Sequence, residues 1–282
     1  MKRILVLLFF LTLPLINFSS NGDGAIGVRS ISLGHASTCL FDVWAVRNNQ
    51  GSLGFVKQVE VGSFYENRFL IKELSQTGFA LAIPIKKSTI GLCYTSLGYK
   101  LYRESQTTLA YGMMLSKTIS LGIGLDYLTT KIADLYGEAN TFTGSMGLTA
   151  KITQQFIVST HIYNPFRSKI TNYNQEKIPT IIKFGLQYTF SKKVFMVAEA
   201  EKTSDKNIHL KAGIEYTPAT ILYLRMGAST SPNLASIGVG VNYHGLKIDM
   251  STAYHSLLGV SPQVGINYIF GTKKSTDSNN SK

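Results

Sequence analysis

Ile119-Ser120-Leu121-Gly122-Ile123-Gly124-Leu125-Asp126-Tyr127 alternates without interruption between large apolar and small or polar residues. Side chains of an extended strand point to opposite faces in turn. Ile119, Leu121, Ile123, Leu125 and Tyr127 therefore share one greasy face, and Ser120, Gly122, Gly124 and Asp126 share the reverse.

The same two-residue period recurs outward from this stretch. Phe184, Leu186, Tyr188 and Phe190 oppose Lys183, Gly185, Gln187 and Thr189. Ile208, Leu210, Ala212, Ile214 and Tyr216 oppose His209, Lys211, Gly213 and Glu215, and Leu222, Leu224 and Met226 oppose Tyr223, Arg225 and Gly227. Ile237, Val239, Val241 and Tyr243 oppose Gly238, Gly240 and Asn242, and Leu246, Ile248 and Met250 oppose Lys247, Asp249 and Ser251. The pattern predicts about fourteen strands, from 55–66 to 262–270, near the even numbers of bacterial barrels.

The connections alternate in length. Lys86-Lys87, Ser116-Lys117, Thr153-Gln154, Ser191-Lys192-Lys193, Thr217-Pro218-Ala219 and His244-Gly245 are short, whereas 66–76, 97–106, 130–140 and 164–179 are longer. Short periplasmic turns and longer outer loops are the asymmetry of an outer-membrane barrel. Tyr188, Phe190, Tyr216, Tyr243, Tyr268 and Phe270 fall on the greasy face near the short turns, and Tyr127, Phe142 and Tyr254 fall near the opposite ends. Two such girdles suit the headgroup levels of a bilayer. The reading is an all-β transmembrane antiparallel barrel over residues 55–270.

Composition agrees. Charged residues are 16% of the 282-residue chain, below the roughly 25% of soluble domains. The net charge of +12 comes from scattered Lys and Arg, with no dense basic run and no nucleic-acid motif, so nucleic acid is not expected as a partner. Outer-membrane lipid and lipopolysaccharide are the expected partners of that charge.

At the amino terminus Lys2 and Arg3, the apolar run from Ile4 to Ile16 and Ser20-Asn21-Gly22 read as a signal peptide over residues 1–22. Residues 23–54 are rich in Gly and Ser and are expected to form a plug or hatch segment inside or under the barrel. Within it, 40–47 is expected to be a short helix and Asn48-Asn49-Gln50-Gly51 a turn. Arg29, Trp44, Asn48 and Asn49 are its candidate contacts. Glycines 112, 122, 124, 147, 185, 213, 227, 238 and 240 on the reverse face would let its backbone approach closely.

Gln263-Val264-Gly265-Ile266-Asn267-Tyr268-Ile269-Phe270 resembles the carboxy-terminal insertion signal of outer-membrane proteins, with Gly265, Tyr268 and Phe270 at its key positions. The resemblance implies delivery to the barrel-insertion machinery. Residues 271–282 follow as a polar tail expected to be disordered in the periplasm.

Gly27-Val28-Arg29-Ser30 with Ser32-Leu33-Gly34-His35-Ala36 is similar to the Gly-x-Arg-Ser-x-x-Leu-Gly-x-Ala stretch of the PorV/PorQ family, relatives of the FadL-type transporters. Asn49-Gln50-Gly51-Ser52-Leu53 stands where that family usually has Asn-Pro-Ala-Gly-Leu. Phe64-Tyr65-Glu66-Asn67-Arg68-Phe69 and Tyr163-Asn164-Pro165 also resemble Bacteroidetes-type members. The resemblance implies a fourteen-stranded barrel accessory to type IX-like protein secretion or cargo handling, with secretion-system subunits as partners. Its FadL side implies passive transport of hydrophobic small molecules, and a plugged structural barrel is the third alternative.

Lys183, Glu199, Glu201, Lys211, Glu215 and Arg225 fall on the reverse faces of neighbouring predicted strands, close enough for opposite charges to pair. They are a candidate polar network in the lumen, bracing the barrel or forming a polar constriction. His161, His209 and His255 share that face without metal-binding spacing, and no catalytic constellation is present, so neither an enzyme nor a cofactor is expected. Met113, Met146, Met196, Met226 and Met250 fall on the greasy face. Cys39 and Cys93 are read as a possible disulfide or as two free thiols.

Overall fold

A computed structural model describes residues 24–133, 137–168, 178–204, 206–230 and 233–271. The leader expected over 1–22 and all but the first residue of the tail lie outside them. Fourteen strands run in chain order: β1 Glu60–Asn67, β2 Ser75–Ile85, β3 Ser88–Gly98, β4 Tyr102–Met114, β5 Ile119–Ile132, β6 Gly137–Lys151, β7 Phe156–Tyr163, β8 Ile181–Ser191, β9 Val194–Thr203, β10 His209–Ala219, β11 Leu222–Thr230, β12 Asn233–Tyr243, β13 Leu246–His255 and β14 Gly259–Ile269. Each pairs antiparallel with its chain neighbours, and β1 also pairs with β14, so the sheet closes on itself. Closure leaves no open edge of unpaired N–H and C=O groups.

The alternation seen in the sequence sets which face is which. On β5, Ile119, Leu121, Ile123 and Leu125 are exposed on the outside, while Ser120 and Asp126 are buried inside. Ile123 stands between Tyr111 of β4 and Met146 of β6, both also exposed. Ile237 is 60% exposed, Met226 58% and Leu125 53%. An apolar cylinder of this extent has no counterpart on a monomeric soluble domain and fits acyl chains. Among the described residues no helix is long and apolar enough to cross a membrane.

The connections differ from expectation at one end. β3 runs to Gly98 and β4 starts at Tyr102, while β5 reaches Ile132 and β6 starts at Gly137. The loops expected over 97–106 and 130–140 are thus short, because strands continue past the apolar belt as polar ladders. Ser105 with Thr129, and Gln106 with Leu128, still pair there although apolar alternation has stopped. At the opposite end the turn expected at 217–219 falls at 220–221, after a register irregularity between Tyr216 and Ala219. β1 begins at Glu60 rather than 55, and Phe55 and Val56 are buried with the segment that precedes it.

Residues 24–56 lie within the ring of strands as three short helices, α1 Val28–Ser32, α2 Ala45–Asn48 and α3 Gln50–Leu53, and connecting turns. Helix α1 was not foreseen, because serines usually mark loops. Here Ser30 Oγ donates to the Ile26 carbonyl at 2.6 Å and Ser32 Oγ to that of Val28 at 2.7 Å, so both hydroxyls are satisfied within the segment. The helix expected over 40–47 occurs only at 45–48. The turn expected at 48–51 is the start of α3: extended Asn49 (φ −167°) caps it by accepting from the Gly51 N–H at 3.0 Å. The apolar core sits between this segment and the wall. Ile26, Val43, Trp44, Val46 and Leu53 pack with Phe64, Ala80 and Cys93, and Trp44 meets Phe64 edge to face at 5.1 Å.

Candidate functional site

The inner wall and the amino-terminal segment are joined on several sides by polar contacts. The six charged residues expected to form one network form two. In the first, Lys211 Nζ lies 3.0 Å from Glu199 and 2.6 Å from Glu201, and Lys183 lies 3.5 Å from Glu201. Glu199 also accepts from the backbone N–H groups of Ser37 and Thr38, each at 2.9 Å. Register explains the grouping: Lys183 stands opposite Glu201 and Glu199 opposite Lys211, with all four side chains turned inward.

The second network spans the segment and the wall. Arg29 of α1 and Arg225 of β11 both hold Glu215 of β10, at 2.9 and 2.7 Å. Arg225 reaches Asp249 of β13 at 2.5 Å, and Arg29 lies 3.5 Å from Asp42. A cavity of about 180 Å³ opens beside this group, lined also by Lys247 and Asn267. Charges buried to this degree need partners, and here each has one.

The remaining candidate contacts divide. Trp44 Nε1–H donates to Asn267 Oδ1 of β14 at 3.1 Å, and Asn49 Nδ2 donates to Thr149 Oγ1 of β6 at 3.2 Å, so both tie the segment to the wall. Asn48 instead grips its own segment, bonding the Ile26 N–H and carbonyl at 3.0 and 2.9 Å. Gly265 lies on β14 opposite Phe64, and Tyr268 and Phe270 stand together on the outside, ring centroids 4.7 Å apart. Sequence reasoning missed Asp249, Asp42 and Asp126 as site residues. Buried Asp126 accepts from Gln106, Thr108 and Ser145 at 2.9, 2.5 and 2.9 Å. The signal was present, since Asp126 interrupts an otherwise uncharged inner face and Asp249 follows Lys247 on the inner face of its strand.

Glycines give the segment its seat. A Cβ on Gly213 would stand 2.6 Å from both Cα and O of Leu33, and one on Gly112 would stand 2.7 Å from the Gln50 carbonyl. Side chains at these positions would push the segment off the wall.

Two cavities lie back to back across the β9–β11 wall. One, of about 210 Å³, sits at the barrel end away from the short turns, lined by His35, Phe69, His209, Leu234, Ala253 and His255 among others. The other is an apolar groove of about 470 Å³ on the outer surface, bounded by Phe184, Leu186 and Leu210 and floored by the small Ala198, Ala212 and Ala228. Lys211 and Ser229 line both. Burial, reinforced by the charges of Lys211 and Arg68, pulls the His35 pKa down to about 3. Cys39 and Cys93 are buried free thiols. Among the described residues no group of His, Cys, Asp and Glu could hold a metal ion.

These features define a closed fourteen-stranded barrel of membrane type with its interior occupied by the chain's own amino-terminal segment. The same fold is found in the CymD monoaromatic hydrocarbon channel, with a TM-score of 0.69 at 12% identity over 87% of this chain and 98% of that one. The Pseudomonas putida toluene transporter TodX gives 0.64 at 12% identity, covering 88% and 97%. A Pseudomonas aeruginosa FadL homologue gives 0.61 at 12% identity, covering 88% and 96%. At such identity the likeness is one of fold. No protein-family model matches the sequence, and no curated protein does so either. The PorV/PorQ resemblance rests on the sequence motifs alone.

Proposed function

We propose that this protein is an outer-membrane channel for passive passage of small hydrophobic molecules, exported by the amino-terminal leader and lodged in lipid and lipopolysaccharide. The observation that carries the reading is the pair of mainly apolar cavities on either side of the β9–β11 wall, sharing Lys211 and Ser229. A straight aqueous path is disfavoured by the segment bonded into the lumen. A solute captured at the outer mouth would leave toward the lipid where the outward side chains, Ala198, Ala212 and Ala228, are smallest. The ladder is continuous there, Ser229 opposite Lys211 and Lys211 opposite Glu199, so passage requires the wall to part briefly. The fold shared with hydrocarbon channels supports the same reading. The secretion role implied by the PorV/PorQ resemblance has no matching feature among the described residues.

Uptake of a panel of small hydrophobic compounds by cells lacking the protein tests this. Uptake is expected to fall and to be restored by the native chain. Restoration by a groove-filling Ala198→Phe/Ala212→Phe variant is expected to be weak although the variant reaches the membrane folded. Unchanged uptake across the panel would overturn the proposal.

A further inference from the structure

The mouth cavity combines ring-sized apolar space with two imidazoles, His35 and His255, that each keep a ring nitrogen without a hydrogen-bond partner among the described residues. A cavity of some 150 Å³ with an apolar lining holds one benzene ring, and this one measures about 210 Å³. Leu234, Ala253 and the ring of Phe69 supply apolar surface. Phe69 is folded over the mouth with φ +56°, its N–H donating to Ser261 Oγ at 3.0 Å and its ring edge-on to His255 at 5.9 Å.

The polar side is specific. His255 Nδ1 accepts from the N–H groups of Leu257 and Leu258 at 3.1 and 3.2 Å. A nitrogen accepting two N–H groups carries no proton, so the neutral ring bears its hydrogen on Nε2. That N–H has no acceptor among the described residues. The His35 ring makes no hydrogen bond there either, and its lowered pKa keeps it neutral, with one donor and one acceptor nitrogen. Two of the cations that line the cavity already have anions: Arg68 is 3.2 Å from Glu66, and Lys211 bridges Glu199 and Glu201. His35 and His255 thus offer neutral hydrogen bonding on their side of the cavity.

We infer that the mouth cavity is a binding site for single-ring compounds bearing one neutral oxygen substituent, phenols being the simplest, in preference to the unsubstituted hydrocarbon. The oxygen accepts from His255 Nε2–H and its hydroxyl hydrogen goes to the free nitrogen of His35. A site built to hydrogen-bond a hydroxyl disfavours an analogue lacking it, because its own polar groups then stay unpaired. This inference deepens the proposed transport role and rests on it for its physiological meaning, while binding itself can be measured separately.

Isothermal titration of the full barrel in detergent, with 4-methylphenol and with toluene, provides the test. The phenol is expected to bind at least tenfold tighter. The His35→Asn/His255→Asn variant is expected to remove that preference. Asn tolerates the positive φ of residue 35 (+66°) and keeps an acceptor for the Leu257 and Leu258 amides at 255. Leu234→Phe, which fills the cavity, is expected to abolish binding of both while the barrel remains folded by its heat-dependent gel shift. Equal binding of the two compounds, binding of neither, or a preference unchanged in the double variant would overturn the inference. Selective binding without facilitated flux in vesicles would uphold this site and overturn the transport proposal. Flux with equal binding would do the reverse.

Discussion

Arg29 and Glu215 form a two-pronged ion pair, Nε to Oε2 at 2.9 Å and Nη2 to Oε1 at 3.1 Å, that fastens helix α1 to strand β10. The same carboxylate also receives Arg225. Glu215 is therefore the single anion shared by two guanidinium groups, and the two sides of the contact are unequal.

Glu215→Ala removes a shared anion from both guanidinium groups at once, leaving Arg225 with Asp249 and Arg29 with only the 3.5 Å contact to Asp42, and the loss is expected to stay below the roughly 3–5 kcal/mol of a fully unpaired buried charge. Arg29→Ala breaks one pair to Glu215, which keeps Arg225, and the longer contact to Asp42, and is expected to cost less because Arg29 is partly exposed. Thermal unfolding in detergent checks the order of the two. Single-channel recording adds a second readout, with more frequent open events expected for Glu215→Ala than for Arg29→Ala.

Gly213 tests whether the segment's seat is steric. A methyl group there would press on Leu33 Cα and O at 2.6 Å, and overpacking of this kind costs about 1–3 kcal/mol. Gly213→Ala is expected to lower the melting temperature and make residues 24–56 more susceptible to protease. Gly259→Ala, where a Cβ would meet no atom within 4 Å, is not expected to loosen the segment, although its φ of +89° carries a local strain.

Cys39 and Cys93 are both buried and unpaired, and burial pushes the Cys39 thiol up to about 12. Thiolate is the reactive form, so maleimide labelling of the folded barrel at neutral pH is expected to be very slow. Denaturation is expected to release two reactive thiols per chain without reductant, matching the two cysteines of the sequence.

His35 makes stability depend on pH. Its folded pKa, about 3, lies below the ordinary histidine value of 6.5, chiefly through burial and then through Lys211 and Arg68, with Glu201 and Glu199 opposing. The unfolded chain thus binds the proton more readily than the folded one. The contribution is complete above pH 6.5 and is lost progressively as pH falls toward 3. His35→Asn is expected to flatten this part of the melting-temperature profile relative to the native chain. Parallel profiles for the two proteins between pH 6.5 and 4 would show that His35 is not responsible.

The wall was legible because its chemistry repeats every second residue. Ile119 to Tyr127, Phe184 to Phe190 and Ile237 to Tyr243 each declare an outer and an inner side, and the register follows. Lys183, Glu199, Glu201, Lys211, Glu215 and Arg225 were found for the same reason. Their division into two groups was not, since it depends on which charges stand directly opposite, Lys183 with Glu201 and Lys211 with Glu199 in one group and Glu215 with Arg225 in the other. Helices α1 and α3 escaped because they are held by Ser30, Ser32 and Asn49 bonding locally, not by apolar periodicity. The mouth cavity escaped too, because His35, Phe69, His209 and His255 meet only through the closed ring of strands.

Closure itself has a temporal side. Phe64 faces Gly265 across the seam between β1 and β14, the two residues emerging near opposite ends of synthesis. Until that zip is fastened, the growing ribbon has two bare lips, each a row of thirsty amides that could be seized by any passing strand. The strand that does the fastening, β14, is also the one bearing Gly265 and Tyr268. A catalyst that grasps this strand would guard one lip and choose the moment when the ribbon becomes a tube.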